Sequence, residues 1–399
     1  MDVTYMENLK NGYDMLYLAT CALQDIAPED AAVKAMDLEG VYAQAEKQML
    51  LAITCYSVER WLKQTEDAAV DPQLLEKWKE AKNRAIRKNM LLDLEREKLT
   101  AFMDSRGIWY MPLKGSIIKD WYPLLGMRQM SDNDILFDPD FQKDINQYMT
   151  DRGFEREEES GAIHDCYFKK PVYHFEMHLK LFGYSAKPEW RAYYQNVKER
   201  LHKDENSPCG YHFTNEDLYV YMTTHACKHF DGDGHGVRNL LDVCVFLQKK
   251  PDMDWAYIEG ELTKLGLARH EKNVRMLAQK LLQPERLLKM GEASGFTEQE
   301  EEFLAVCLEV GVFGSREHRT KQAFERLQTD GKITPWARVK YLFGRLIPDQ
   351  ELLEELYPKA SKHKLLRPLC VLHRIILGIS KRPKALWREF MAILHTKKK

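Results

Sequence analysis

Two aspartates, Asp132 and Asp134, flank a single residue at the head of an apolar run formed by Ile135, Leu136 and Phe137. Alternate residues of a strand share a face, so a strand here places both carboxylates on one side, with Cα atoms about 6.5–7 Å apart. Bare, the pair repels and one acid tends to keep its proton. A divalent cation removes that conflict, and oxygen-only ligands suit a hard ion such as Mg²⁺. With a third acid, two ions about 3.5–4 Å apart could be held. Glu176 is the natural third acid: it sits in the middle of the alternating stretch VYHFEMHLKLF, on the polar side, with Phe175, Met177 and Leu179 on the other. His174 and His178 flank it on its own face. They could orient Glu176 or a metal-bound water, or be plain hydrogen-bonded histidines.

Upstream, Lys114-Gly115-Ser116 stands between an apolar, β-prone segment (GIWYMPL) and a short helical one. Glycine lets a backbone come close, and the amides of a helix start, with the Ser116 hydroxyl, can hold phosphate oxygens. The turn is expected to lie open in a cleft. Lys114 and Arg128 could neutralise phosphate, Arg128 in bidentate fashion, or Arg128 could pair with Asp132 or Asp134 in the empty protein. Farther on, His225 and His229 are four apart on a helix. With Asp231, Asp233 and His235 they could chelate zinc, and DGDGHG echoes the start of a calcium loop, with Asp242 where a Glu is expected. The preferred expectation is that His229, Arg238 and Asp242 line the cleft or pair with one another. A D-x-D pair alone is common in turns. The ordered set of strand, Gly-Ser turn, helix, D-x-D strand and Glu strand is far more specific.

The elements that must position these residues follow from periodicity. The 399-residue chain reads as an α+β protein: residues 1–104 an N-terminal helical region, 105–185 a small mixed-sheet core, 186–358 a C-terminal helical domain and 359–399 a basic tail. Gly107 and Gly153 read as helix stops, Asn215 as a helix cap, and the chain after Pro188 as helical throughout. With 44% hydrophobic and 30% charged residues and a net charge of −2, no global field recruits nucleic acid or membrane. From Lys359 onward, however, the local balance is +11, and this tail could contact polyanions. The eight cysteines are widely and irregularly spaced with no C-x-x-C pair, which suggests reduced thiols and a cytoplasmic setting. No apolar run of about 18 residues suggests a membrane span, and the N-terminus does not read as a signal peptide.

PLKGSIIKDWYPLLGMRQMSDNDILFD, HFEMHLKLF and THACKHFDGDGHGVRNLLDVCVFLQ together resemble an uncharacterised bacterial nucleotidyltransferase family of the DNA polymerase-β-like nucleotidyltransferase superfamily. The resemblance spans roughly residues 90–250. It implies a short mixed sheet backed by helices, and transfer of a nucleotidyl group from an NTP, with ATP expected first, to an acceptor it does not name. By the same resemblance Gly115 and Ser116 hold the triphosphate. Asp132, Asp134 and Glu176 bind Mg²⁺ or Mn²⁺, and Glu176 helps activate the attacking hydroxyl. Asn133 stands where the family carries an apolar residue, which suggests a less buried strand edge. Two other functions fit the same fold: a non-catalytic nucleotide- or partner-binding module, and a phosphotransferase using the same cleft.

Overall fold

A computed structural model describes residues 3–157, 163–230, 236–289, 294–312, 314, 353, 357, 360 and 363–381. The fold is α+β, a small mixed sheet between helical flanks. Helices α1 (Val3–Leu23), α2 (Asp30–Lys34), α3 (Leu38–Lys47), α4 (Leu51–Gln64) and α5 (Pro72–Arg106) come first. At 35 residues α5 is by far the longest. Asp71 caps it by accepting from the Leu74 N–H, Pro72 opens its first turn, and Gly107 stops it in the left-handed region at φ 70°.

The sheet then forms from β1 (Tyr110–Pro112), β2 (Asn133–Phe137), β3 (Glu155–Arg156), β4 (His164–Lys169) and β5 (Tyr173–His178), in the order β1-β2-β5-β4-β3. Only β2 and β5 run parallel; the other neighbours are antiparallel. Between β1 and β2 lie α6 (Gly115–Ile118) and a 3₁₀ turn (Lys119–Trp121); α7 (Gln142–Asp151) follows β2. The β2–β5 register pairs Asn133 with Phe175 and Asp134 with Glu176, so the parallel pairing itself brings the two acids side by side.

Strand alternation then separates a dry face from a polar one. Ile135, Phe137, Phe175 and Met177 are buried with Leu99 and Met103 of α5 and Ile145 and Met149 of α7. On the other face Leu136 joins a second, larger core with Trp61 and Trp78 of the N-terminal helices. That core also takes in the C-terminal helices α9 (Asn215–Phe230), α10 (Arg238–Lys249), α11 (Trp255–Lys264), α12 (Ala268–Leu281) and α13 (Glu298–Val310), and α8 (Pro188–Tyr193) through Trp190. Asp134, Glu176 and His178 share the Leu136 face and look toward these helices.

Three details depart from expectation. Residues after Pro188 are not all helical. The two-residue strands β6 (His202–Lys203) and β7 (Tyr211–His212) pair antiparallel, and the Tyr110 N–H donates to the Cys209 carbonyl at 3.1 Å. That segment covers the outer edge of β1, whose amides would otherwise be unpaired. Helix α9 is capped by Thr214, whose Oγ1 accepts from the Asp217 N–H, and not by Asn215. Asn133 is fully buried rather than at an exposed edge. Its Nδ2 donates to the Leu92 carbonyl at 2.8 Å and its Oδ1 accepts from Arg96 at 3.0 Å, so α5 satisfies the amide that an apolar residue would not carry. Among the described residues no helix is long and apolar enough to cross a membrane, and none of the eight cysteines forms a disulfide. Most of the basic tail lies outside the described residues, as do Asp231, Asp233 and His235.

Helix α5 also fixes the approach to β2. Asn89, completely buried, donates from Nδ2 to the Arg128 carbonyl (3.0 Å) and accepts at Oδ1 from the Met130 N–H (3.1 Å). Asn89→Ala strands both backbone groups in the interior, and the expected loss is about 1–3 kcal/mol. A lowered urea midpoint at unchanged slope is the expected result; an unchanged midpoint would mean that the Arg128–Met130 segment is held by something else.

Candidate functional site

A cavity of about 380 Å³ lies between the polar sheet face and the C-terminal helices. The sheet side contributes Lys114, Gly115, Arg128, Asp132, Asp134 and Glu176; the helices contribute His225, His229, Arg238 and Asp242. Tyr219, Phe230, Phe246 and Phe303 make part of the wall aromatic. Ser116 is not on the wall. It is buried, and its hydroxyl donates to the Leu113 carbonyl at 2.6 Å.

The three acids meet different partners. Asp134 Oδ1 accepts from Lys114 Nζ at 2.8 Å and lies 2.9 Å from His178 Nε2. His178 Nε2 is also 3.6 Å from Glu176 Oε2, so this histidine bridges two of the acids directly. Asp132, one residue before β2, makes its one ion-pair contact among the described residues with His174 Nδ1, at 3.9 Å, while Lys114 and Arg238 act on it from farther away. The electrostatics follow. Burial works to raise the Asp134 carboxyl, but Lys114 and His178 outweigh it and hold it far below the usual carboxylate range. Glu176 is likewise lowered against the effect of burial, chiefly by His178. Asp132 is pushed up to about 7, by burial first and then by Asp134 and Glu176. In the ligand-free protein two acids are compensated and the third is not.

The cations divide in the same way. Arg128 forms a buried two-pronged pair with Asp242, Nε to Oδ1 and Nη2 to Oδ2, each 2.8 Å, and Tyr122 Oη donates to the same carboxylate at 2.8 Å. Thus Arg128 pairs with neither Asp132 nor Asp134. Gly115 borders the cavity but is buried beneath this guanidinium, not the open turn expected: a Cβ there would overlap Arg128 Nη1. Lys114 adopts φ 49°, ψ −115°, a strained conformation for a residue with a side chain. Arg238 has no carboxylate partner among the described residues. It donates to the Gln129 carbonyl at 3.2 Å, while its Nε is buried without a hydrogen bond. Burial and then Arg128 lower it to about 10. His229 lies against His225, Nε2 to Nε2 at 3.2 Å.

Sequence reasoning had placed His178 behind the acids; the structure puts it among them. It had missed Asn89 and Tyr122, and also His164, whose Nε2 is 4.0 Å from Glu176 Oε2. A signal for His164 was present: it shares strand parity with Cys166 in HDCYFK, which turns it to the face of the neighbouring Glu strand.

Residues 34–283 match a family described as Uncharacterised nucleotidyltransferase. No curated protein and no solved structure matches the chain.

Two measurements check this geometry. Gly115→Ala should displace the Arg128 guanidinium and lower stability by about 1–3 kcal/mol, as overpacking of a filled interior does; a wild-type denaturation midpoint would contradict the close approach. Asp132 has a raised pKa, so its contribution to stability is complete below the unfolded value and is lost as pH rises through about 7. Asp132→Asn removes that loss. The metal-free variant should therefore melt roughly a few °C above the parent at pH 8, with the gap closing toward pH 4. Coincident melting curves at pH 8 would show that Asp132 is not repelled.

Proposed function

The chain belongs to the family of uncharacterised nucleotidyltransferases, and on that premise we propose that it moves a nucleotidyl group from an NTP, ATP first, to an acceptor hydroxyl or phosphate. The observation that carries this reading is the convergence of three carboxylates and Arg238 on one cavity, with Asp132 pushed up by burial and its neighbours. That donor set suits Mg²⁺ or Mn²⁺: the donors are oxygens, and the repulsion that raises Asp132 is what a divalent cation relieves. Asp132, Asp134 and Glu176 would hold it. When bound, such an ion neutralises charge on the phosphates and favours the attacking oxygen.

The remaining steps belong to the chain's own groups. Lys114 neutralises Asp134 in the empty protein and is placed to exchange that carboxylate for a phosphate oxygen, a shift its strained backbone would favour. Gly115, on the cavity wall, would present its backbone to the phosphates, while Ser116 holds the turn, its amide and hydroxyl both engaged by the Leu113 carbonyl. Arg128 keeps Asp242 and stays a positioning residue, so the guanidinium left for the triphosphate is Arg238, which has no ion-paired carboxylate among the described residues. His178 orients Asp134 and Glu176, and His174 does the same for Asp132. Glu176 takes the proton of the acceptor hydroxyl. The acceptor enters from the helical side, past His229 and the aromatic wall.

ATP labelled separately at the α- and γ-phosphates, with Mg²⁺ and a cell extract as acceptor source, tests the reaction. The α-label is expected to pass to product, and Asp134→Asn should reduce transfer by roughly 10²-fold or more while the circular dichroism spectrum is kept. Arg238→Ala should raise KM for ATP more than it lowers kcat. Transfer of the γ-label alone would replace this reading with a phosphotransferase. A melting temperature raised by Mg²⁺ and ATP without transfer would replace it with a binding module.

A further inference from the structure

Glu176 faces a second set of donors on its other side. In the β4–β5 ladder Cys166 lies directly opposite Glu176, and His164 is two residues along β4 on the same face. One donor atom from each of His164, Cys166 and Glu176 lies within 4.8 Å of the other two. The three are graded in accessibility: Cys166 is buried, while His164 and Glu176 are part-exposed, so the cluster has a floor and an open side. His164 is only half engaged. Its Nε2 faces Glu176 Oε2 at 4.0 Å, and its buried Nδ1 has no hydrogen-bond partner among the described residues.

We propose that His164, Cys166 and Glu176 form a binding site for a single borderline-soft divalent ion, Zn²⁺ above others, distinct from the cation site at Asp132 and Asp134. The donor chemistry makes the choice. A thiolate and an imidazole are poor ligands for Mg²⁺ but good ones for Zn²⁺. A tetrahedral zinc shell at about 2.0–2.3 Å from its ligands puts donor atoms roughly 3.3–3.7 Å apart. From within 4.8 Å of one another the donors would close the remaining distance by rotamer change at the part-exposed His164 and Glu176. Three protein donors leave a fourth position for water, the arrangement of an open rather than a purely structural zinc site. On binding, the sulfur–metal bond forms as the Cys166 S–H bond breaks and its proton passes to solvent, with no change of oxidation state. The antiparallel ladder already holds Cys166 and Glu176 opposite each other, so little ordering entropy stands against the ion.

The site stands on β4 and β5 alone and does not depend on nucleotidyl transfer. Where both hold, Glu176 is the shared donor, and an ion on the β4 side competes with the cleft cation for that carboxylate.

The test is a Co²⁺ titration of the full chain, free of nucleotide and Mg²⁺. One equivalent is expected to give visible d–d absorption with a near-ultraviolet thiolate-to-cobalt band, and one equivalent of Zn²⁺ should remove both. Cys166→Ser should lose the near-ultraviolet band, and His164→Ala should weaken binding at least tenfold. Asp132→Asn, which spares this cluster, should leave the spectrum unchanged. Absence of the band in the parent overturns the proposal. So does its survival in Cys166→Ser, which would assign it to another thiol, or an affinity unchanged by His164→Ala. Loss of the band in Asp132→Asn overturns it too, since the ion would then sit in the cleft. Should Cys166→Ser fail to fold, His164→Ala and Asp132→Asn decide the matter, because both replace part-exposed side chains.

Discussion

The Arg128–Asp242 pair ties one side of the cleft to the other. Arg128 belongs to the segment between α6 and β2, and Asp242 to α10. With two 2.8 Å hydrogen bonds between them and a third from Tyr122, the segment and the helix are held in fixed relation. Such a pair adds little net stability over a well-packed apolar contact, but losing either partner leaves a buried charge, at a cost of about 3–5 kcal/mol. Neighbouring residues are constrained accordingly. Position 115 must be glycine because the guanidinium lies where a Cβ would be. Asn89 must be polar because it holds the Arg128 carbonyl while the side chain reaches away. Arg238 is left repelled by a cation that already has its counter-charge. The clamp thereby decides which arginine serves structure and which is available to a ligand.

The same reasoning explains the asymmetry among the acids. Three carboxylates on one sheet face cannot all be ionised cheaply in a part-buried setting. The chain compensates Asp134 with Lys114 and His178, and Glu176 with His178, whereas the more distant Lys114 and Arg238 do not offset the burial and repulsion that act on Asp132. Asp132 also sits one residue before the strand ladder begins. The empty site thus carries an unresolved repulsion among its acids, the feature on which the proposed cation rests.

Much of this was legible from the chain. The D-x-D strand, the Glu strand and the Gly-Ser turn were found because strand alternation and helix stops are local signals, and the helix ends at Gly107 and Gly153 lie where glycine was expected to put them. The partners were not legible. Nothing near position 128 announces that Arg128 pairs across 114 residues with Asp242, and the burial of Gly115 follows only from that pairing. Asn133 misled because an amide beside two acids suggests exposure; the helix that buries and satisfies it lies some forty residues earlier. The short β6–β7 pair was missed because strands of two residues carry no periodicity.

Helix α5 links these long-range contacts. Along a single face it offers Asn89 to the approach of β2, Leu92 and Arg96 to Asn133, and Leu99 and Met103 to the dry face of the sheet. Residues 89, 92, 96, 99 and 103 recur at intervals of three and four, the stripe a helix presents to one neighbour. Its upper half is polar and its lower half apolar. The polar half meets β2 where the strand begins and backbone groups still need partners; the apolar half meets the interior of the sheet. Burying an amide between the aspartates therefore serves alignment. An apolar residue at 133 would fill the same space, but it would not fix the register of β2 against α5 by hydrogen bonds, and that register sets where Asp132 and Asp134 stand.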